Sequence, residues 1–161
     1  MDFTADHYYR AALERTTQAH HLYREGTGNY ALAMYAAGLA VESMLRAFML
    51  RTGKTEFESR HNVLLLAKES GMLNVDRDKI KQKGLSDEQI EGHQKALWAS
   101  VNDVFILWRN DYRFASEARL RAHLKKMKFY EDVKGDPLKA NTLRLLKAAQ
   151  RFIDKGVLQW R

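Results

Sequence analysis

Residues 30–50 read YALAMYAAGLAVESMLRAFML, and this apolar stretch decides the fold class. The helix that residues 30–51 would form is apolar nearly all round, which is typical of the central helix of a bundle. The stretch is also long enough to cross a membrane. Glu42, Ser43 and Arg46 interrupt it, and alanines make up much of it, which disfavours insertion. We therefore predict the buried central helix of a soluble bundle.

An amphipathic helix precedes the central one. Ala5 to Glu25 contains neither Gly nor Pro, and its larger side chains recur at steps of three and four residues. The turn GTGN separates the two helices, with Asn29 as a natural N-cap for the second. Gly53 supplies the left-handed residue that commonly follows a helix. The predicted half-buried positions of the first helix are Tyr9, Leu13, Thr16, Thr17, His20 and Tyr23.

A short helix and then a long helix follow the central one. Ser59 is the predicted cap of a short helix within RHNVLLLAKES. Residues 74–85, NVDRDKIKQKGL, are predicted to form a polar connection. Ser86 then opens a long helix that runs to about Arg109, with acidic residues in its first turn. Its predicted buried stripe consists of Ile90, Leu97, Val101, Val104, Phe105 and Trp108.

Two more helices are predicted near the C-terminus. Ser116 caps a strongly basic helix. In the sequence GDP, Asp136 stands at the N-cap and Pro137 at the first position of the last helix. That helix is predicted to end near Lys155, because Gly156 is a stop signal.

The fold class that follows is all-α. No segment alternates apolar and polar residues in steps of two with β-branched enrichment, as a strand would. The chain has 161 residues, 45% of them hydrophobic, and one proline, which suits one domain with a real core. We predict an up-and-down bundle of four to five antiparallel helices that spans residues 1–161 as a single domain.

The composition excludes several kinds of chemistry. The absence of cysteine excludes disulfides, thiolate-bound zinc, iron–sulfur clusters and a cysteine nucleophile. A glycine-rich phosphate loop, a Gly-x-Ser-x-Gly elbow and an HExxH motif are also absent. Neither His61 nor His93 has a second histidine three or four residues away, as a helical metal site would need. We therefore predict neither a metal nor a cofactor.

The charge distribution permits an anionic partner. The net charge is +7, with 6 Lys/Arg against 7 Asp/Glu in residues 1–58, so that residues 59–161 carry a net +8. Such asymmetry is typical of proteins that bind RNA, DNA, nucleotides or acidic proteins, although lysines that only keep a surface soluble give the same pattern. The N-terminal sequence MDFTADHYYR does not resemble a secretory signal, so we expect a cytoplasmic protein without a membrane partner.

The stretch LWRNDYRFAS, residues 107–116, is the best functional clue in the chain. Residues 109–128 hold seven Lys/Arg against two acidic residues, interleaved with aromatic side chains. Guanidinium groups there could form bidentate hydrogen bonds to phosphates, while aromatic rings stack on a base. Alternatively, the aromatic rings cover the end of the bundle and the arginines pair with Asp111, Glu117 and helix carbonyls.

Glu42 and Arg46 are the charged residues within the apolar helix. They lie four residues apart with the acid first, which is the favourable order for an ion pair. One interpretation is a self-satisfied pair that makes burial tolerable. The other is that Glu42 orients an arginine from another helix toward a cleft.

Three stretches together resemble the HEPN family, the higher eukaryotes and prokaryotes nucleotide-binding domain. The first is the central helix, whose Ala-x-Glu-x-x-Leu-Arg-Ala core begins at Ala40 and includes Glu42 and Arg46. The second is the short helix with His61-Asn62-Val63, and the third is Arg113-Phe114 after the long helix, with Phe where the family has Tyr. The resemblance covers roughly residues 5–155.

The resemblance implies an up-and-down helical bundle, usually a homodimer, often paired with a nucleotidyltransferase in toxin–antitoxin or defence modules. Many members are metal-independent RNases that use Arg, a polar residue, several more residues and then His. Arg109-Asn110 resembles the start of that motif, but Phe, Ala and Ser stand where the His is expected. Arg15 and His20 have the spacing but lie in the first helix, so we interpret them as a coincidence.

On these grounds we predict a dimeric, non-catalytic module that binds a nucleotide or RNA. The predicted binding residues are Arg109, Asn110, Tyr112 and Arg113, with Glu42 and Arg46 as support behind them. One alternative is an RNase that uses a histidine from elsewhere in the fold, with His61 and His123 as candidates. Another alternative is a protein that neutralises an acidic partner, such as a nucleotidyltransferase.

Overall fold

Seven α-helices and one 3₁₀ turn make up the regular structure of residues 2–54, 61–130 and 133–161, the part of the chain that this computed structural model describes. The all-α prediction is therefore confirmed. Four long helices form the bundle, and three short ones lie in the connections between them. The elements are α1 (Ala5–Glu25), α2 (Tyr30–Arg51), α3 (Val63–Glu69), α4 (Arg77–Lys81), α5 (Asp87–Leu107), the 3₁₀ turn (Asn110–Phe114), α6 (Glu117–Lys126) and α7 (Pro137–Trp160).

Helix α2 is the central element, as its composition predicts. It contacts α1, α3, α5, α6, α7 and the 3₁₀ turn. The span Tyr30–Arg51 is long and apolar enough to cross a membrane, with a mean hydropathy of 1.3. In the bundle, 78% of its apolar window is buried within the protein itself. Its apolar surface thus forms the core against which the other long helices pack.

Most helix N-termini are capped where the sequence indicates, but α2 and α3 are exceptions. Asn29 occupies the N-cap position, but its side chain makes no capping hydrogen bond. Instead the Glu117 carboxylate accepts hydrogen bonds from the backbone N–H groups of Gly28 and Tyr30, at 2.8 and 3.0 Å. The start of α6 is thereby tied to the start of α2. Ser86, Ser116 and Asp136 cap their helices as predicted.

The short helix α3 begins later than its predicted cap implies. Ser59 lies outside the described residues. The side chain of Asn62 caps α3 by accepting hydrogen bonds from the N–H groups of Leu64 and Leu65, both at 3.1 Å. The predicted polar connection also contains a helix, α4, which buries Ile80.

The prediction that α7 ends near Lys155 was wrong. Gly156 lies inside the helix, where a Cβ would stand only 2.9–3.0 Å from the side chains of Met72 and Met44. The residue is glycine because of this close packing and not because the helix stops. Lys79 and Arg51 donate hydrogen bonds to the carbonyls of Gln159 and Trp160 and so satisfy the C-terminal end of α7.

Three positions predicted to be buried or half-buried were also wrong. Leu13, Thr17 and Phe105 are exposed. The buried positions of α1 are instead small, namely Ala12, Thr16 and Ala19. Small residues allow the backbones of α1 and α2 to approach closely, and within the described part of the chain these two helices pack together more extensively than any other pair of elements.

Candidate functional site

Trp108 fixes the point at which α5 ends and the candidate site begins. Its indole is buried against the backbone of α2 at Gly38, where a Cβ would lie 2.1 Å from the ring. The indole N–H donates a hydrogen bond to the Tyr35 carbonyl at 3.2 Å. The backbone of Trp108 and Arg109 is extended, so the helix stops at Leu107, two residues before its predicted end. The chain then enters the 3₁₀ turn.

The 3₁₀ turn spreads the predicted binding side chains in different directions. Tyr112 is buried, and its ring meets the His123 ring edge-on, with centroids 6.0 Å apart. Arg113 lies over the exposed ring of Phe114, with its guanidinium carbon 4.6 Å from the ring centroid. Burial raises the pKa of Tyr112 to about 12, so its phenol stays protonated. The four predicted residues therefore do not form one cluster.

A cleft of about 540 Å³ lies between the 3₁₀ turn and α6, and we call it the basic cleft. This volume lies within the range of small-molecule binding sites, roughly 300–1,000 Å³. Three of its side chains are cationic, one is a histidine and one is acidic. The cleft is lined by Arg109, Asp111, Tyr112, Phe114, Ala115, Arg119, Leu120, Ala122, His123 and Lys126.

A second cleft of about 500 Å³ lies on the other side of Arg109, and we call it the His61 cleft. Arg109 and Asp111 line both clefts and form the boundary between them. Among the predicted binding residues, Asn110 lines only this second cleft, Tyr112 lines only the basic cleft, and Arg113 lines neither. The His61 cleft is lined by His61, Asn62, Val63, Phe105, Trp108, Arg109, Asn110 and Asp111.

Glu42 connects the central helix to the His61 cleft. One carboxylate oxygen accepts a hydrogen bond from Nε of Arg46 at 2.9 Å, so the predicted ion pair is present. The other oxygen lies 2.9 Å from Nδ1 of His61. The Glu42 and Arg46 side chains are 5% and 12% exposed, whereas His61 is 45% exposed. A buried carboxylate thus holds an imidazole that faces solvent at the edge of the cleft.

Arg109 forms a bidentate ion pair with Asp111, and we call this arrangement the fork. Its Nε and Nη2 donate to the two carboxylate oxygens at 3.1 and 2.9 Å. These hydrogen bonds raise the pKa of Arg109 and lower the pKa of Asp111, so both groups stay charged. His123, across the basic cleft, has its pKa lowered by burial and then by the nearby Arg109. Its imidazole is therefore neutral near pH 7.

Arg119 and Lys126 line the basic cleft but are not among the residues that the sequence predicts for the site. The signal was present, because Arg119, His123 and Lys126 are spaced four and three residues apart and so share one face of α6. The sequence of this basic segment does not show which other element the face lies against. Among the described residues, no group of three or more His, Cys, Asp or Glu could hold a metal ion.

One comparison with known proteins gives a match. The family model of the HEPN domain matches residues 5–160. Neither the curated proteins nor the solved structures gave a match.

Proposed function

The chain belongs to the HEPN domain family, and from this premise we propose that it binds a nucleotide or RNA in the basic cleft without catalysing a reaction. The ligand is held chiefly through its phosphates. Arg109, Arg119 and Lys126 supply the positive charge, and the exposed ring of Phe114 supplies a face on which a base can stack.

The convergence of three cations from two elements on one cleft carries this proposal. Arg109 precedes the 3₁₀ turn, while Arg119 and Lys126 come from α6, yet all three line the same cavity. Phe114 is 77% exposed at this cleft, although a large aromatic side chain is normally buried. A cationic cavity lined by an exposed aromatic ring matches the chemistry of a nucleotide.

The predicted residues take different parts in this proposal. Arg109 contacts the phosphate directly, and Asn110 lies beside it in the adjoining cleft. Tyr112 shapes the wall of the basic cleft, because its buried ring has no free face for stacking. Arg113 holds the Phe114 ring from outside the cleft. Glu42 and Arg46 support the His61 cleft, because Glu42 contacts both Arg46 and His61.

Salt-dependent RNA binding tests the proposal. We expect the double variant Arg119→Ala/Lys126→Ala to bind a fluorescein-labelled oligouridylate at least about tenfold more weakly than the wild-type chain. Its slope of log Kd against log salt concentration should fall by about 1.4, because two phosphate contacts are lost and each contributes about 0.7 with a single strand. The matched control is Lys139→Ala/Lys147→Ala, which removes two exposed charges from α7, outside both clefts. Equal losses in both double variants would remove the site assignment.

We also propose that the chain acts as a homodimer, because one face of α5 is apolar but uncovered. Trp98, Phe105 and Ile106 are all exposed. At 100° per residue they lie within one sector of the helix about 100° wide. Phe105 also lines the His61 cleft, so a second copy on this face would border the site. A contiguous exposed apolar face of this kind is typical of an interaction surface.

A second candidate function is a metal-independent RNase, and the contact between Glu42 and His61 favours it. A carboxylate on Nδ1 orients an imidazole and leaves Nε2 for proton transfer. A base would take the 2′-OH proton, the 2′ oxygen would form a bond to the adjacent phosphorus, and the bond from phosphorus to the 5′ oxygen would break. An acid would then protonate that 5′ oxygen. His61 and His123, each in a cleft that contains Arg109, are the candidates for these two roles.

Cleavage of varied RNAs in the presence of EDTA tests this alternative. RNase function predicts cleavage that is lost in His61→Ala or His123→Ala. If the wild-type chain leaves all the RNAs intact, the RNase function is contradicted and the non-catalytic binding module remains as the proposal. A toxin–antitoxin or defence setting with a nucleotidyltransferase partner is part of the proposal on family grounds, and co-purification with the product of an adjacent gene tests it.

A further inference from the structure

We propose, building on the phosphate-binding role above, that Asp111 is an internal competitor for the phosphate-binding position on Arg109. Its carboxylate accepts the two hydrogen bonds from Arg109 that a ligand phosphate would take. A ligand binds only when its phosphate replaces both oxygens of Asp111. Asp111 therefore weakens the binding of any anion at this position, and a ligand that also reaches Arg119 and Lys126 offsets that loss.

The geometry of the fork supports this role. The two hydrogen bonds from Arg109, at 3.1 and 2.9 Å, have the parallel arrangement with which a guanidinium also binds phosphate. A carboxylate ligand that displaced Asp111 would replace one carboxylate with another and gain little. A phosphate also brings further charge and oxygens for the neighbouring cations Arg119 and Lys126.

The position of Asp111 supports the same conclusion. It is the one acidic side chain among the described residues that line either cleft. The Arg109 and Asp111 side chains are 57% and 59% exposed, and an ion pair in contact with water contributes little stability. A polyanion therefore displaces Asp111 at little cost in free energy. Since both residues border both clefts, their separation would also join the clefts into one groove.

A double-mutant cycle distinguishes a competitor from a distant negative charge. The probe is a short fluorescein-labelled oligouridylate, and its affinity is measured for the wild type, Asp111→Asn, Arg109→Gln and the double variant. We expect Asp111→Asn alone to tighten binding by about two- to fivefold, the usual strength of an exposed ion pair. In the Arg109→Gln background the same change should have no effect. Asp103→Asn is the matched control, because Asp103 forms an ion pair with Arg144 at 2.8 Å outside both clefts.

The outcomes separate this inference from the function on which it rests. Two results would overturn the competitor role without affecting the proposal of RNA binding. In the first, Asp111→Asn still tightens RNA binding in the Arg109→Gln background. In the second, Asp111→Asn alone leaves RNA binding unchanged. If no variant binds the oligouridylate, the RNA-binding proposal fails. A titration with inorganic phosphate, followed by the NMR signal of the Arg109 side-chain N–H, then decides the competitor role. If this NMR signal responds at a lower phosphate concentration in Asp111→Asn than in the wild type, the competitor role is supported. If the two proteins respond identically, the competitor role is overturned.

Discussion

Replacement of Gly38 by alanine should destabilise the protein and disturb its site, although alanine is the better helix former. The Cβ that this substitution adds would lie 2.1–2.2 Å from three atoms of the Trp108 indole. Carbon atoms in contact are separated by about 3.5–4.0 Å, so the indole must move by roughly 1.5 Å. Trp108 is buried and cannot move that far without disturbing its neighbours.

Three contributions determine the change in the free energy of unfolding that we expect in Gly38→Ala. Overpacking of a core position costs about 1–3 kcal/mol. Loss of the hydrogen bond from the indole N–H to the Tyr35 carbonyl costs about 1 kcal/mol. The higher helix propensity of alanine offsets about 1 kcal/mol of this loss. We expect the free energy of unfolding to fall by about 1–3 kcal/mol in Gly38→Ala.

Gly92 provides a matched control for this experiment. It lies on the exposed side of α5, and a Cβ there would have no atom within 4 Å. Gly92→Ala should therefore raise the free energy of unfolding by roughly 0.5–1 kcal/mol. Urea denaturation followed by circular dichroism measures both variants, and RNA affinity should fall only in Gly38→Ala, because Trp108 positions Arg109. Equal stabilisation by the two substitutions, with unchanged RNA affinity, would refute the role of Trp108 as the anchor of the site.

Three further predictions concern a buried histidine, the Glu42 contacts and the apolar face of α5. Burial lowers the pKa of His93 to about 4 from its ordinary 6.5, with a smaller effect of the nearby Lys155. The unfolded chain therefore binds the proton more tightly, so stability is fully present above pH 6.5 and falls by up to about 3 kcal/mol as the pH drops to 4. Glu42→Gln removes the buried charge that faces Arg46 and His61, so the free energy of unfolding should fall by about 2–3 kcal/mol, as measured in urea. Phe105→Lys should convert the proposed homodimer to a monomer in light scattering, since it places a charge on the uncovered face.

Each of these predictions has its own control. His93→Gln should lack the loss of stability between pH 6.5 and 4 that the wild type shows, and identical pH profiles would contradict the assignment to His93. Unchanged stability in Glu42→Gln would mean that its two contacts contribute nothing. For Phe105→Lys the control is Leu32→Lys, an exposed apolar position on α2. If both variants stay dimeric, the interface does not involve the face of α5.

The sequence predicts those parts of the fold that depend on local signals. The apolar composition of residues 30–50 identifies the central helix, and Ser86, Ser116 and Asp136 mark helix starts because a side-chain cap acts within three residues. Gly156 shows the limit of such signals. A glycine inside a closely packed helix and a glycine that stops a helix look the same until the partner helices are known.

The candidate site was predictable only in part, for a similar reason. Arg109 stands out in the sequence, but its fork with Asp111 and its place between two clefts depend on the extended backbone that follows Trp108. Glu117 caps α2 across 87 residues, and Glu42 meets His61 across 19. Contacts of this kind depend on how the helices pack, which no local pattern encodes.

A crystal structure of the protein with a bound 5′-phosphorylated oligouridylate tests the central claim most directly. We expect a phosphate within hydrogen-bond distance of Arg109 and of Arg119 or Lys126, a base against Phe114, and Asp111 turned away from Arg109. An oligonucleotide bound on another face, with Arg109 still paired to Asp111 and the basic cleft free of ligand, would contradict it.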